Sequence, residues 1–242
     1  MKNQYFGDIN DYRKYGLLRV LQASDNKSRI LVAWMLTPDD GGPDGCMRSY
    51  LKNPGTWVNY DHELFDGLNR LLGSAPQPAV SLLECSQLLP RALYHSELVP
   101  DDRQGREAWR ASLLQVASGV DLVFLDPDNG IEVPSKPIGR KGSSKYVAWA
   151  EIEGLWNSNS GSSILIYQHF RREPRGQFAK RIASELQKRT GAVYTEAIRT
   201  SHVLFLLVAQ EWHERWLREA MSLLMKRWNG QIIPMGLANS RL

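Results

Sequence analysis

Apolar residues recur along this chain in two patterns: short continuous runs bounded by turn residues, and longer segments in which they return every three or four positions. The runs predict buried strands at residues 29–36, 79–84, 93–99, 120–125, 163–167, 192–199 and 203–209. The spaced segments predict helices at residues 9–22, 61–72, 106–117, 145–156, 177–190 and 212–228. This alternation predicts an α/β fold: a doubly wound, mainly parallel sheet that ends in a carboxyl-terminal antiparallel hairpin.

Two glycines and the tryptophans affect what we expect for the stability, length and packing of the predicted helices. Gly16 lies inside the first helix and lowers its propensity, and Gly73 is placed to stop the second. The last helix has a tryptophan-rich face, which predicts packing in the core or in a dimer contact.

Length and composition narrow the class of protein. The 242 residues have no Pro/Gly/Ser-rich linker, which predicts one domain over residues 1–242. A chain with 43% hydrophobic and 23% charged residues is neither disordered nor a coiled coil. Its longest apolar run is far shorter than the roughly 20 residues that span a bilayer, and residues 1–19 are too charged for a signal peptide. We therefore expect a cytoplasmic protein without a membrane partner.

The strongest candidate site follows the clearest strand, residues 120–125. Asp126 and Asp128 flank Pro127 there, and a carboxylate held by a proline turn can accept hydrogen bonds from an amino group or bind a divalent metal. His169 ends the next strand, and Glu132 lies six residues beyond Asp126. Because ligands bind beyond the carboxyl ends of parallel strands, we predict Asp126, Asp128 and His169 as catalytic residues. An Asx turn that merely closes the strand is the alternative.

The loop after the first strand is a candidate cofactor loop. Residues 37–45 combine Gly41, Gly42 and Gly45 with Asp39, Asp40 and Asp44, although they match neither common phosphate-binding motif. A plain surface loop fits equally well. Glu84, at the predicted end of the second strand, could accept hydrogen bonds from ribose hydroxyls. The two cysteines, Cys46 and Cys85, form no CxxC pair and predict neither a disulfide framework nor a thiolate zinc site.

Basic residues cluster on both sides of the predicted catalytic strand end. They are Lys136, Arg140, Lys141 and Lys145 before it, and Arg171, Arg172 and Arg175 after it. Loops of this charge would neutralise phosphates, and the net charge of +4 is compatible with an anionic partner. The cluster predicts binding of RNA or DNA, whereas a solvated surface is the alternative.

Several short motifs resemble the large-subunit ribosomal-RNA adenine methyltransferases, a family with the class I methyltransferase fold. The amino-terminal segment is similar to the family's leading helix motif, and the matching residues are Gly7, Asp11, Lys14, Leu17, Leu18 and Arg19. Residues 83–86 resemble the family's second strand end, and residues 123–127 resemble its Asp-Pro-Pro-Tyr turn. The resemblance implies S-adenosylmethionine as cofactor, with Lys14, Glu84 and Asp126 at cofactor or target-base positions.

The chain departs from this family at two motifs. Asp128 and Asn129 stand where the family has proline and the aromatic that stacks on a flipped adenine, and Thr37, Asp39 and Gly41 replace its cofactor loop. These departures leave three hypotheses open.

The first hypothesis is a methyltransferase-like enzyme acting on nucleic acid, in which Lys14, Glu84 and the 37–45 loop hold S-adenosylmethionine.

The second hypothesis is a metal-dependent phosphodiesterase, with Asp126, Asp128 and Glu132 as metal ligands and His169 as base. The third is a non-catalytic module that binds nucleic acid or protein on a decayed methyltransferase scaffold.

Overall fold

A computed structural model describes residues 1–42, 45, 47–158 and 161–236. The predicted cofactor loop is therefore described except for Pro43 and Asp44. Cys46 also lies outside the described residues, and Cys85 is exposed with a free thiol.

The main sheet has seven strands in the order β2-β1-β3-β6-β8-β7-β9. Their bounds are β1 Ile30–Ala33, β2 Ala92–His95, β3 Leu122–Leu125, β6 Ser163–His169, β7 Tyr194–Arg199, β8 Val203–Ala209 and β9 Ile233–Pro234. Strands β2, β1, β3 and β6 are parallel, and β8 pairs antiparallel with both β6 and β7. The predicted doubly wound α/β fold with an antiparallel hairpin is confirmed, and it is compatible with a Rossmann-like architecture. The later strand of the hairpin, β8, lies between β6 and β7.

Helices cover both faces of this sheet. They are α1 Ile9–Ser24, α2 Pro54–Trp57, α3 His62–Ser74, α4 Ser81–Glu84, α5 Arg103–Val116, α6 Trp149–Trp156, α7 Arg175–Thr190 and α8 Glu214–Arg227. Helices α1, α3, α4 and α8 contribute to the core on one face, and α5, α6 and α7 to the core on the other. Because successive strand side chains point to opposite faces, Leu122 and Phe124 of β3 enter the first core and Val123 and Leu125 the second. No helix in the described ranges is both long and apolar enough to cross a membrane.

The strand predicted at residues 79–84 is wrong, because this segment forms the single turn α4. Val80 and Leu83 lie three residues apart, so one helical turn brings both into the core while Ser81 stays exposed. The second strand of the sheet is instead β2, within the predicted 93–99 segment. It lies at the sheet edge, which leaves Leu93 exposed and weakens its apolar pattern.

The turn after β3 leads into a small second sheet that the sequence did not predict. It pairs β4 (Gly130–Ile131) in parallel with β5 (Tyr146–Val147). The helix expected at residues 145–156 therefore begins only at Trp149. In the last helical segment, Trp216 and Trp228 are buried in the core, whereas Trp212 is exposed.

Gly16 lies at the closest approach of α1 to the indole of Trp228. A Cβ at this position would overlap the six-membered ring of Trp228, so the glycine that weakens the helix is what allows α1 and α8 to pack. Gly73 does not end its helix, which continues to Ser74, and a Cβ there would meet open space.

We expect Gly16→Ala to lower the free energy of unfolding by about 1–3 kcal/mol, because the added methyl overpacks the α1–α8 contact. Gly73→Ala is the matched control, and it should be neutral or stabilise by about 0.5–1 kcal/mol, since it removes a helical glycine without a clash. Urea unfolding of both variants measures the difference. Equal stability of the two variants would contradict this packing.

Candidate functional site

A small cavity lies where the carboxyl ends of β3 and β6 meet the first turns of α1. Its volume is about 40 Å³, which is room for a few water molecules or one small chemical group. Four carboxylates (Asp8, Asp11, Asp126, Asp128), the amines of Met1 and Lys14, and the His169 ring contribute to its wall. Four carboxylates against two amines make the cavity acidic.

Lys14 joins two of these carboxylates in the buried interior. Its Nζ donates to Asp11 Oδ1 at 2.7 Å and to Asp126 Oδ2 at 2.6 Å. Burial alone would lower the pKa of Lys14, but the attraction of both carboxylates holds that pKa above its usual value. Burial raises the pKa of Asp126, and the nearby charges of Lys14 and the Met1 amine only partly offset this. Lys14 therefore stays charged and ties α1 to the end of β3.

Asp8 caps the same helix from inside the cavity wall. Its carboxylate accepts hydrogen bonds from the backbone N–H groups of Asn10 and Asp11 at 2.8 and 2.9 Å, as an N-cap residue does. Burial, and then repulsion from Asp11, raises the pKa of Asp8 to about 7. A carboxyl group that titrates near neutral pH can either donate or accept a proton.

Asp128 binds the amino group of Met1, which fills the space between the ends of β1 and β3. The Met1 nitrogen lies 2.6 Å from Asp128 Oδ1 and donates to the carbonyl oxygens of Met35 and Asp126 at 3.2 and 3.1 Å. Thr37 Oγ1 donates to Asp128 Oδ2 at 2.7 Å. Burial opposes ionisation, but the Met1 amine holds the pKa of Asp128 below its usual value.

His169 stands at the exposed rim of this cavity. Its ring packs edge-on against Tyr167, with 5.2 Å between the ring centroids. Loss of water contact lowers the pKa of His169, and attraction to Asp128 only partly offsets this, so the imidazole is neutral at pH 7. A neutral imidazole at a cavity rim can accept a proton.

The preceding residue, Gln168, fixes the turn that carries Asp126 and Asp128. Its Oε1 accepts the N–H of Ile131 at 2.8 Å, and its Nε2 donates to the Asn129 carbonyl at 3.2 Å. Gly130 has φ +108° and lies so close to the Gln168 amide that a Cβ there would overlap it. The Asp-Pro-Asp-Asn-Gly turn therefore requires this glycine.

The structure brings together part of the predicted site. Lys14, Asp126, Asp128 and His169 line one cavity, and Thr37 touches it through Asp128. The other predicted cofactor residues make local contacts elsewhere.

Those contacts account for Asp39, Gly41 and Glu84. Asp39 Oδ1 accepts the Gln4 N–H, and the Gly41 N–H donates to Gln4 Oε1. Glu84, at the end of a helical turn rather than of a strand, accepts from Trp34 Nε1 at 2.7 Å and from Ser96 Oγ at 2.6 Å. These contacts fasten neighbouring segments together.

Glu132 lies apart from Asp126 and Asp128. Its carboxylate accepts the Trp149 N–H at 2.9 Å and faces a different cleft. Among the residues that the structure describes, no group of three His, Cys, Asp or Glu could hold a metal ion. The described geometry therefore offers no support for the three-carboxylate metal set of the phosphodiesterase hypothesis.

The two basic segments adjoin the turn after β3. The Asn129 N–H donates to the Lys145 carbonyl at 2.9 Å, and Arg171 Nη2 donates to the carbonyls of Ile131 and Glu132. The side chains exposed to solvent are Lys136, Arg140, Lys141, Arg172 and Arg175, while Lys145 and Arg171 are half-buried. Arg175 stacks over Phe170, 4.8 Å from its ring centroid. Exposed cations thus lie on the two segments that adjoin the turn carrying the cavity.

Asp101 holds the first basic segment in place. Its carboxylate accepts the N–H groups of Gly142 and Ser144, both at 2.7 Å. Burial acts against ionisation, but these hydrogen bonds keep the pKa of Asp101 below its usual value. The segment is therefore anchored, although its sequence is typical of a flexible loop.

Sequence reasoning missed Asp8 and Tyr167 and gave Met1 no role. Asp8 is signalled by an aspartate just before the first helical residue, and Asp11 and Lys14 by their i, i+3 spacing on that helix. The place of Met1 has no local signal, because its amine donates to residues more than thirty positions away.

The sequence matches no model of a known protein family, and no curated protein is detectably similar to it.

We expect Lys14→Met to lower the free energy of unfolding by about 3–5 kcal/mol, because it leaves the Asp126 carboxylate buried without a counter-charge. Lys14→Met combined with Asp126→Asn should be less destabilised than the sum of the two single variants. A double-mutant cycle in urea measures this coupling. Strict additivity would contradict the ion pair.

The raised pKa of Asp8 predicts a pH dependence. Folded Asp8 holds its proton up to about pH 7, whereas the unfolded group loses it near its usual 3.8, so the folded state binds more protons between these values. Stability should therefore fall as pH rises through this window. Asp8→Asn keeps the helix cap but cannot ionise, so relative to wild type it should gain stability from pH 5 to pH 8. Parallel pH profiles would contradict the assignment.

Proposed function

We propose that this chain is a nucleic-acid-binding protein on a methyltransferase-like scaffold, in which Met1 occupies the crevice where a cofactor would lie. The observation that carries the proposal is that two segments with exposed cations adjoin the turn after β3, whose carboxylates face Met1 and Lys14. In this proposal, Met1 fills the crevice beside the turn, and the exposed cations of the two basic segments contact the nucleic acid.

The strand order supports the scaffold. Strand β8 runs antiparallel between β6 and β7, which are parallel to each other. This mostly parallel sheet with helices is compatible with the Rossmann-like architecture that the resemblance implies. Lys14 and Asp126 belong to two of the motifs that carry the resemblance, and they contact each other, with 2.6 Å between Nζ and Oδ2.

S-adenosylmethionine does not fit the residues of this crevice as the chain folds. In such a sheet the ligand binds between the ends of β1 and β3, where the winding reverses. Met1 lies there and is 4% exposed, and the Asp126 carboxylate is bound to Lys14. The remaining cavity of about 40 Å³ is far smaller than the roughly 300–1,000 Å³ of small-molecule sites.

The exposed cations of the two basic segments support a polyanionic partner. Lys141 and Arg172 are exposed, and their side chains make no hydrogen bond or ion pair with any residue that the structure describes. Such cations are free to replace counterions on phosphates. Arg175 and Phe170 add a stacked cation and ring of the kind that also contacts single-stranded bases.

Methyl transfer to nucleic acid is the second candidate, and one observation favours it. Asp8, with a pKa of about 7, and neutral His169 both border the cavity, which gives it a proton donor and a proton acceptor at neutral pH. This activity requires the Met1 segment to leave the crevice. Groups with shifted pKa values also occur at sites that are purely structural, so the first proposal stands ahead of this one.

We expect Lys141→Ala combined with Arg172→Ala to weaken nucleic-acid binding and to flatten its salt dependence. Each lost phosphate contact should reduce the slope of log K against log salt by about 0.9 for duplex, or about 2 for the pair. Fluorescence anisotropy with RNA and DNA oligonucleotides at several salt concentrations measures the slope.

The matched control is Lys27→Ala combined with Lys188→Ala. Lys27 precedes β1, and Lys188 lies in the last turn of α7. Both are therefore near the amino ends of the parallel strands, away from the turn after β3, and the pair carries the same charge as Lys141 and Arg172. The control should bind as wild type does. An equal loss in both double variants would indicate nonspecific attraction to net charge and would contradict the proposed surface.

A further inference from the structure

A second cleft opens between the first turns of α5 and α6 and the segment that follows β4. Its volume is about 500 Å³, within the range of small-molecule sites. Arginines and glutamates from the two helices form its polar wall, and Pro137 and Ile138 form part of its apolar wall. The cleft is distinct in its lining residues from the cavity at Asp126.

Arg106 supplies a buried donor at this cleft. Its Nε and Nη2 bind the Glu151 carboxylate at 2.5 and 2.8 Å, and Nη2 also donates to the Tyr146 carbonyl. The residue is 2% exposed, and its Nη1 has no hydrogen-bond partner among the residues in the described ranges. Buried guanidinium donors are normally satisfied, so this nitrogen calls for an acceptor from outside the chain, either a water molecule or a ligand that reaches it from the cleft.

Arg103 supplies a second cation to the same cleft. It is exposed and makes no hydrogen bond or ion pair within the part of the chain that is described. Arg110 is paired with Glu107 at 2.6 Å, and Glu151 is neutralised by Arg106. Of the cleft residues that the structure describes, Arg103 is therefore the unpaired cation, the Nη1 of Arg106 is an unpaired donor, and Glu132 is an unpaired carboxylate that accepts only the Trp149 N–H.

We propose that this cleft binds a phosphate-bearing ligand of mononucleotide size. Guanidinium groups match phosphate oxygens in geometry and charge. The apolar surface of Pro137 and Ile138 suits a planar base, and the carboxylate of Glu132 can accept hydrogen bonds from ribose hydroxyls. Two sources share this chemistry: a free monophosphate and the 5′ end of a nucleic acid.

Isothermal titration of the full chain with the four ribonucleoside 5′-monophosphates, and with the matching nucleosides, tests the proposal. At least one monophosphate should bind at least tenfold more tightly than its nucleoside. Arg103→Ala should remove this difference without changing the melting temperature, because the side chain has no partner to lose. Arg215→Ala, an equally exposed arginine on α8, is the control and should bind as wild type does.

A second arm compares an oligonucleotide with and without a 5′-phosphate. A gain from the phosphate that Arg103→Ala abolishes, without binding of free monophosphates, would identify the nucleic-acid end as the source. Equal affinity for nucleotide and nucleoside, or binding of neither free nucleotide nor 5′-phosphate, would overturn the proposal. Since Lys141 and Arg172 do not line this cleft, such a failure would leave their salt-dependent binding unchanged and is distinguishable from failure of the proposed function.

Discussion

The arrangement of this site depends on one buried ion pair, between Lys14 of α1 and Asp126 at the end of β3. Both side chains are buried, so the Asp126 charge needs Lys14 beside it, and Lys14 is balanced by Asp126 together with Asp11. The pair fixes the first helix against the carboxyl edge of the sheet. With that helix in place, the preceding residues run along the edge, and Met1 enters the gap between β1 and β3.

The turn after β3 makes contacts on two sides. Asp126 and Asp128 point inward to amines of the chain itself, whereas the backbone of Asn129 and Ile131 contacts the two basic segments. Residues 126–131 thus contact both the crevice and the two basic segments. The first basic segment is held by Asp101 as well, so under the proposed function its cations keep their place without any ligand in the crevice.

The sequence was sufficient for the parts of the fold that local pattern controls. Strand β3 is buried on both faces, so its residues form an uninterrupted apolar run that leads directly to Asp126. The edge strand β2 lacks such a run, and α4 resembles a strand because its single turn is too short for helical periodicity to be visible. The convergence of Asp126, Asp128 and His169 followed from strand topology, whereas Lys14 was placed with them only by the family resemblance. The position of Met1 in the crevice could not be predicted, since its amine contacts residues distant in sequence. Glu84 was misplaced because its segment was predicted as a strand and forms the helical turn α4.

Hydrogen exchange, followed by mass spectrometry with and without ligands, tests the central claim most directly. Bound RNA or DNA should slow amide exchange in residues 136–145 and 170–175, while S-adenosylmethionine leaves residues 1–8 unchanged. Protection of residues 1–8 and 34–37 by S-adenosylmethionine, with no effect of nucleic acid on the basic segments, would contradict it. That result would mean that the crevice opens for a cofactor and that the exposed cations are only a solvated surface.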